Sequence, residues 1–131
     1  MKVETIKILL VDDDEDVLFE MQDILKRRGY DVSAAVNSDE AMEAFLRERP
    51  HICFLDIAMP LSKLDGIGIL QEIRKIDKTC FCIMLTASID KKNWDLAHAF
   101  GANRYLIKPF DFRDLIQLVR DLAHVIRGEE V

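Results

Sequence analysis

Apolar residues fall into two rhythms along this chain. Ile8-Leu9-Leu10-Val11, Ile52-Cys53-Phe54-Leu55 and Cys80 to Leu85 are short unbroken apolar runs, the pattern of strands buried on both faces of a parallel sheet. Between them the apolar positions recur at helical spacing: Val17, Met21, Ile24 and Leu25; Ala41, Ala44 and Phe45; Ile69, Leu70, Ile73 and Ile76; Leu96, Ala97 and Phe100; Leu115, Val119, Leu122 and Ile126. Each set predicts one inward stripe of an amphipathic helix. The strands are read as Ile6 to Val11, a weaker Asp31 to Val36, His51 to Asp56, Cys80 to Leu85 and Arg104 to Ile107. Punctuation agrees with this division. Gly29 and Gly101 close helices, Ser38 is expected to cap one, and Pro50 ends one. Five strands alternating with five helices predict an α/β fold, (βα)5. Its sheet is parallel and doubly wound, with right-handed crossovers and helices on both faces. No repeat or internal linker interrupts the pattern, so residues 1–131 are expected to form one domain with a core over about 6–127.

Composition narrows the function classes. The chain has 131 residues, half of them apolar, and a net charge of −6, which argues against nucleic acid as a direct partner of this domain. No apolar run approaches the roughly 18 residues of a membrane span and no signal peptide is recognisable, so no membrane association and a cytoplasmic location are expected. The three cysteines, Cys53, Cys80 and Cys82, lack Cys-x-x-Cys spacing. Cys80 and Cys82 share a strand face. All three are expected to be small buried hydrophobes in a reducing compartment, and a thiolate metal site needs more ligands than these.

Candidate chemistry stands at the strand ends. Asp12 and Asp13 follow the first strand, Asp56 ends the third, Thr86 the fourth and Lys108 the fifth. In a parallel sheet these ends share one edge, where open α/β folds place their sites. Three carboxylates, a hydroxyl and an ammonium can run phosphoryl transfer to a carboxylate. Asp12 and Asp13 can hold Mg²⁺, a hard cation suited to oxygen ligands, which offsets the repulsion between anionic nucleophile and phosphoryl group. Lys108 adds positive charge, the Thr86 hydroxyl can donate to a phosphoryl oxygen, and Asp56, alone on the middle strand, is the natural nucleophile. Asp14, Glu15 and Asp16 read instead as a solvated helix start. Asp12-x-Asp14-x-Asp16 imitates a calcium loop, but Val17 and Asp23 stand where that loop needs Gly and Glu.

Val11-Asp12-Asp13, Asp56-Ile57-Ala58-Met59-Pro60, Leu85-Thr86-Ala87 and Tyr105-Leu106-Ile107-Lys108-Pro109-Phe110 resemble, in order and spacing, the four signature segments of response-regulator receiver domains. The resemblance implies a flavodoxin-like sheet of strand order 2-1-3-4-5 and phosphorylation of Asp56 by a histidine kinase or phosphotransfer protein. It implies Mg²⁺ held by Asp13, by Asp56 and by the backbone carbonyl of Ala58, with Asp12 acting mostly through a water. It implies that Lys108 bridges Asp56 at rest, with a cis bond to Pro109. Thr86 and Tyr105 are implied as switch residues, Thr86 swinging to the phosphoryl oxygen and Tyr105 turning inward behind it. The fourth helix, fifth strand and fifth helix would carry the output to a downstream effector domain or protein, and could pair two copies as a homodimer. Tyr105 also has a plainer reading as core packing, and Trp94 one as a partly buried or partner-facing residue.

The chain departs from the family pattern in one place. Leu61-Ser62-Lys63 stands between Met59-Pro60 and Leu64-Asp65-Gly66, two residues more than usual, which bears on kinase docking. A rival reading is a small haloacid-dehalogenase-like phosphatase, which also uses a strand-end Asp, Mg²⁺, Thr and Lys. That family needs its nucleophile on the first strand followed by Asp-x-Thr or Asp-x-Val, whereas Asp12 is followed by Asp13-Asp14-Glu15-Asp16. No effector domain is recognisable, and both a stand-alone regulator and a piece of a larger protein remain open.

Overall fold

The computed structural model describes residues 5–88 and 90–128, so most of the polar lead-in and the last three residues, Glu129 to Val131, lie outside the described residues. The elements run β1 (Lys7–Val11), α1 (Glu15–Arg27), β2 (Asp31–Ala35), α2 (Ser38–Glu48), β3 (Ile52–Asp56), α3 (Gly66–Ile76), β4 (Phe81–Thr86), α4 (Lys91–Ala99), β5 (Arg104–Ile107) and α5 (Phe112–Arg127). All neighbouring strands are parallel and their order is β2-β1-β3-β4-β5. The expected fold is therefore the observed one.

Strand alternation divides the core into two layers. Leu9, Val11, Cys53, Leu55, Cys82 and Met84 meet Ala41, Phe45, Ile69, Leu70, Ile73 and Ala97 of α2, α3 and α4. Ile8, Leu10, Phe54, Ile83 and Leu85 meet Leu18, Met21, Leu25, Leu115, Val119 and Leu122 of α1 and α5 on the other side. Complete burial of such side chains contributes roughly 1.5–3 kcal/mol each, which explains why polar residues in the central strands stand only at their ends.

Four periodicity details differ. On α3 the expected inward Ile76 is 42% exposed, at the last turn of the helix. On α1 the buried stripe is Leu18, Met21 and Leu25, with Val17 and Ile24 at its margins. On α4 only Ala97 is buried, while Leu96 and Phe100 are each 38% exposed. The three-residue apolar signal there was too short to define a face. On α5 Ala123 is buried and Ile126 only partly so.

Every helix begins on an Asp or Asn whose side chain accepts first-turn N–H groups: Asp14, Asn37, Asp65, Asp90 and Asp111. Asn37, not Ser38, is thus the α2 cap. Ser38 is the first helical residue, its N–H donating to Ser62 Oγ at 2.8 Å and its hydroxyl accepting from Leu64 N–H at 3.2 Å. These bonds fasten the lengthened β3–α3 loop to the start of α2.

Candidate functional site at the C-terminal sheet edge

Parallel pairing brings the ends of β1, β3, β4 and β5 to one edge, and a continuous ladder fixes their relative heights. Asp12 N–H donates to the Ala35 carbonyl at 3.1 Å, Ile57 N–H to Leu85 at 2.9 Å and Lys108 N–H to Thr86 at 2.7 Å. The backbone is thereby set where the side chains must converge. The peptide bond between Lys108 and Pro109 is cis, as the resemblance implied.

Asp12 and Asp56 are buried, at 0% and 4% exposure, and Lys108 reaches both. Its Nζ lies 2.6 Å from Asp12 Oδ2 and 3.4 Å from Asp56 Oδ2. The tighter partner is thus Asp12, where the resemblance implied Asp56. Asp12 Oδ1 accepts from Asp14 N–H at 2.9 Å and Asp56 Oδ1 from Ala58 N–H at 3.3 Å. Asp13 faces solvent, yet carboxylate oxygens of Asp12, Asp13 and Asp56 all lie within 4.8 Å of one another. Asp14, as the α1 cap, and Glu15 and Asp16, in its first turn, form the expected helix start.

Burial, then the charge of Asp12, push Asp56 up to about 7, against the pull of Lys108 and the Ala58 N–H. Burial works against the charge on Lys108, but its contacts with Asp12 and Asp56 prevail and raise it above the usual lysine value. Three converging carboxylates with one ammonium leave an excess of negative charge on hard oxygen donors. The donor set fits a small divalent cation such as Mg²⁺.

Thr86 and Tyr105 stand apart from this cluster. Thr86 Oγ1 donates to the Ser88 carbonyl at 2.7 Å, away from Asp56. The Tyr105 ring stacks on Trp94 with centroids 3.6 Å apart and planes 17° from parallel, and its hydroxyl donates to the Trp94 carbonyl at 2.9 Å. Sequence reasoning left Trp94 without a partner, since nothing in a separation of eleven residues across a helix and a strand signals a stack. Ser62 was also missed as a contact of α2. Its place in the unusual three-residue segment was the available signal.

A 2-1-3-4-5 parallel sheet with carboxylates and a lysine at its C-terminal edge defines the CheY-like class of α/β receivers. The chain belongs to the response regulator receiver domain family, whose model matches residues 8–120. It resembles the crystal structure of a response regulator receiver domain protein (CheY-like) from Methanospirillum hungatei JF-1, with a TM-score of 0.89 at 27% identity over 97% of this chain and 100% of that one. Among curated relatives, the probable transcriptional regulator ycf27 of Cyanophora paradoxa is 37% identical over 93% of this chain and 50% of its own length. The alkaline phosphatase synthesis transcriptional regulatory protein PhoP of Bacillus subtilis (strain 168) is 37% identical over 95% of this chain and 50% of its own. The chain thus spans about half the length of the curated relatives it matches. It is a receiver domain of two-component signalling, a signalling domain rather than a classical enzyme. Response regulators of this family work with histidine kinases and carry output effectors. The haloacid-dehalogenase-like alternative finds no support in the family match. No described helix is long and apolar enough to cross a membrane.

Proposed function

We propose that Asp56 accepts a phosphoryl group from the phosphohistidine of a sensor kinase or phosphotransfer protein. An Asp56 carboxylate oxygen forms the new bond to phosphorus, and the phosphorus–nitrogen bond to the donor imidazole breaks. The observation that carries this reading is the Lys108 ammonium shared between two buried strand-end carboxylates, 2.6 Å from Asp12 and 3.4 Å from Asp56. Mg²⁺, held by Asp13, Asp56 and the Ala58 carbonyl with Asp12 behind them, would supply the positive charge that lets one anion approach another. Lys108 exchanges its contact with Asp56 for the phosphoryl oxygens, adding fixed positive charge there. The Thr86 hydroxyl then leaves the Ser88 carbonyl for a phosphoryl oxygen. Its departure opens space toward which Tyr105 turns, releasing the Trp94 stack.

The surface of α4, β5 and α5 would thereby report the phosphorylation state to a downstream effector. The same surface could join two copies as a homodimer. Self-dephosphorylation, a cytoplasmic location and a single domain over the whole chain belong to this reading, as does the absence of direct nucleic acid binding by this domain. Acetyl phosphate with Mg²⁺ is expected to add one phosphoryl group to the intact protein, measured by mass spectrometry, and Asp56→Asn to accept none. Equal modification of that variant would overturn the assignment.

A further inference from the structure

The three cysteines, separated in sequence, meet inside the layer covered by α2, α3 and α4. Cys53 and Cys82 are register partners on β3 and β4, and Cys80 lies two residues before Cys82 on the same side. The sulfurs of Cys80 and Cys82 are 4.0 Å apart, and all three sulfurs lie within 4.8 Å of one another. All are buried and free. Arg74 of α3 places Nη1 3.5 Å from Cys80 Sγ, and its Nη2 is anchored by the Gly101 carbonyl at 2.8 Å and Asn103 Oδ1 at 3.0 Å. A guanidinium is therefore fixed beside the cluster.

We propose that Cys53, Cys80 and Cys82 form a binding site for a soft d¹⁰ cation, Cu⁺, in trigonal three-sulfur coordination. Thiolate sulfur selects Cu⁺ and Zn²⁺ over harder ions. Three sulfurs arranged in a plane around an ion at about 2.3 Å stand about 4.0 Å apart, the separation already present between Cys80 and Cys82. Structural Zn²⁺ asks for a fourth donor. Asp77 is outside the group of ligand atoms that lie within 4.8 Å of one another, and its Oδ1 accepts from Thr79 N–H, Thr79 Oγ1 and Cys80 N–H. The sequence reading holds three cysteines too few for a thiolate metal site; the proposal departs from it, because three sulfurs are too few only for a closed four-coordinate site and suffice for an ion content with three ligands. Loading replaces S–H protons, released to solvent, with sulfur–copper bonds; Arg74 offsets part of the remaining negative charge. The cluster opens only where Cys80, 5% exposed, precedes β4. That is the sheet edge opposite Asp56, so the site is separate from the acidic pocket.

The reduced full chain, kept anaerobic, is expected to withdraw about one equivalent of Cu⁺ from the coloured chelator bathocuproine disulfonate, unchanged by excess Mg²⁺. Cys80→Ala, checked for folding by circular dichroism, should weaken that withdrawal about tenfold or more. X-ray absorption at the copper edge of the loaded wild type should report sulfur neighbours only, so the proposal is also testable without any variant. Nitrogen or oxygen neighbours, undiminished withdrawal by folded Cys80→Ala, or no withdrawal by fully reduced wild type would each overturn it.

Discussion

Asp56 is held at about 7 chiefly by its burial and by the Asp12 charge, and two consequences are measurable. A carboxylate raised in the folded state favours the fold while protonated. That contribution is complete below the ordinary value near 4 and is lost as pH rises through 7. Asp56→Asn removes the cost of ionisation, so it should stabilise the protein at pH 8, by on the order of 1–3 kcal/mol once the coupling to Lys108 is discounted, and hardly at all at pH 4. Urea denaturation of both proteins at the two pH values checks this; an equal gain at both would refute the electrostatic cause. Mg²⁺ competes with the same proton, so its affinity should fall as pH drops below 7, by up to about tenfold per unit, in a titration followed by calorimetry. Lys108 carries the opposite burden. Lys108→Ala leaves two buried carboxylates without their ammonium and should cost on the order of 2 kcal/mol at pH 8, less at pH 5 where Asp56 is protonated.

Among the elements, α3 and the loop before it decide how closely structure approaches Asp56. Gly66 opens α3 directly over the end of β3, and a Cβ placed there would stand 2.2 Å from the Asp56 carbonyl oxygen. That obstacle is backbone, so Gly66→Ala must push α3 away, at about 1–3 kcal/mol by the usual cost of overpacking. Chemical denaturation should register the loss together with slower acetyl phosphate labelling; an unperturbed variant would contradict the close approach. The segment Leu61-Ser62-Lys63 is anchored at one side, with Ser62 on the Ser38 N–H at 2.8 Å, while Leu61 is fully exposed. The extra length thus wraps onto α2 and leaves one apolar side chain at the loop's tip. By contrast α4 buries only Ala97 and rests on the edge of the sheet through contacts such as the Trp94–Tyr105 stack. A helix so lightly anchored can change position for a modest free energy, which suits the reporting role proposed for it.

Across the whole molecule, legibility followed the strength of the local signal. The long apolar runs of β1, β3 and β4 dictated buried parallel strands, and their register, with that of β5 on β4, carried Asp12, Asp56 and Lys108 into contact. The strand-end carboxylates were therefore readable before any coordinates. What stayed hidden depends on side-chain directions between elements distant in sequence. Ser62 on Ser38, Trp94 on Tyr105 and Cys53 beside Cys80 and Cys82 have no periodicity to betray them. The Lys108 preference for Asp12 over Asp56 is of the same kind, a matter of angstroms among strand-end side chains. At this scale the α4–β5–α5 surface invites a self-association test. Sedimentation with Mg²⁺ and beryllofluoride, a phosphoryl mimic, is expected to give a heavier species than the untreated protein, and an unchanged monomer would count against pairing through that face.

In the proposed reaction Asp56, rather than the more conspicuous acidic run at the end of β1, is the reacting group. Borohydride reduction after acetyl phosphate treatment converts an acyl phosphate to an alcohol and marks its position for peptide mass mapping. The mark is expected on Asp56 alone; a mark on Asp12 or Asp13, with Asp56 unmodified, would contradict the account.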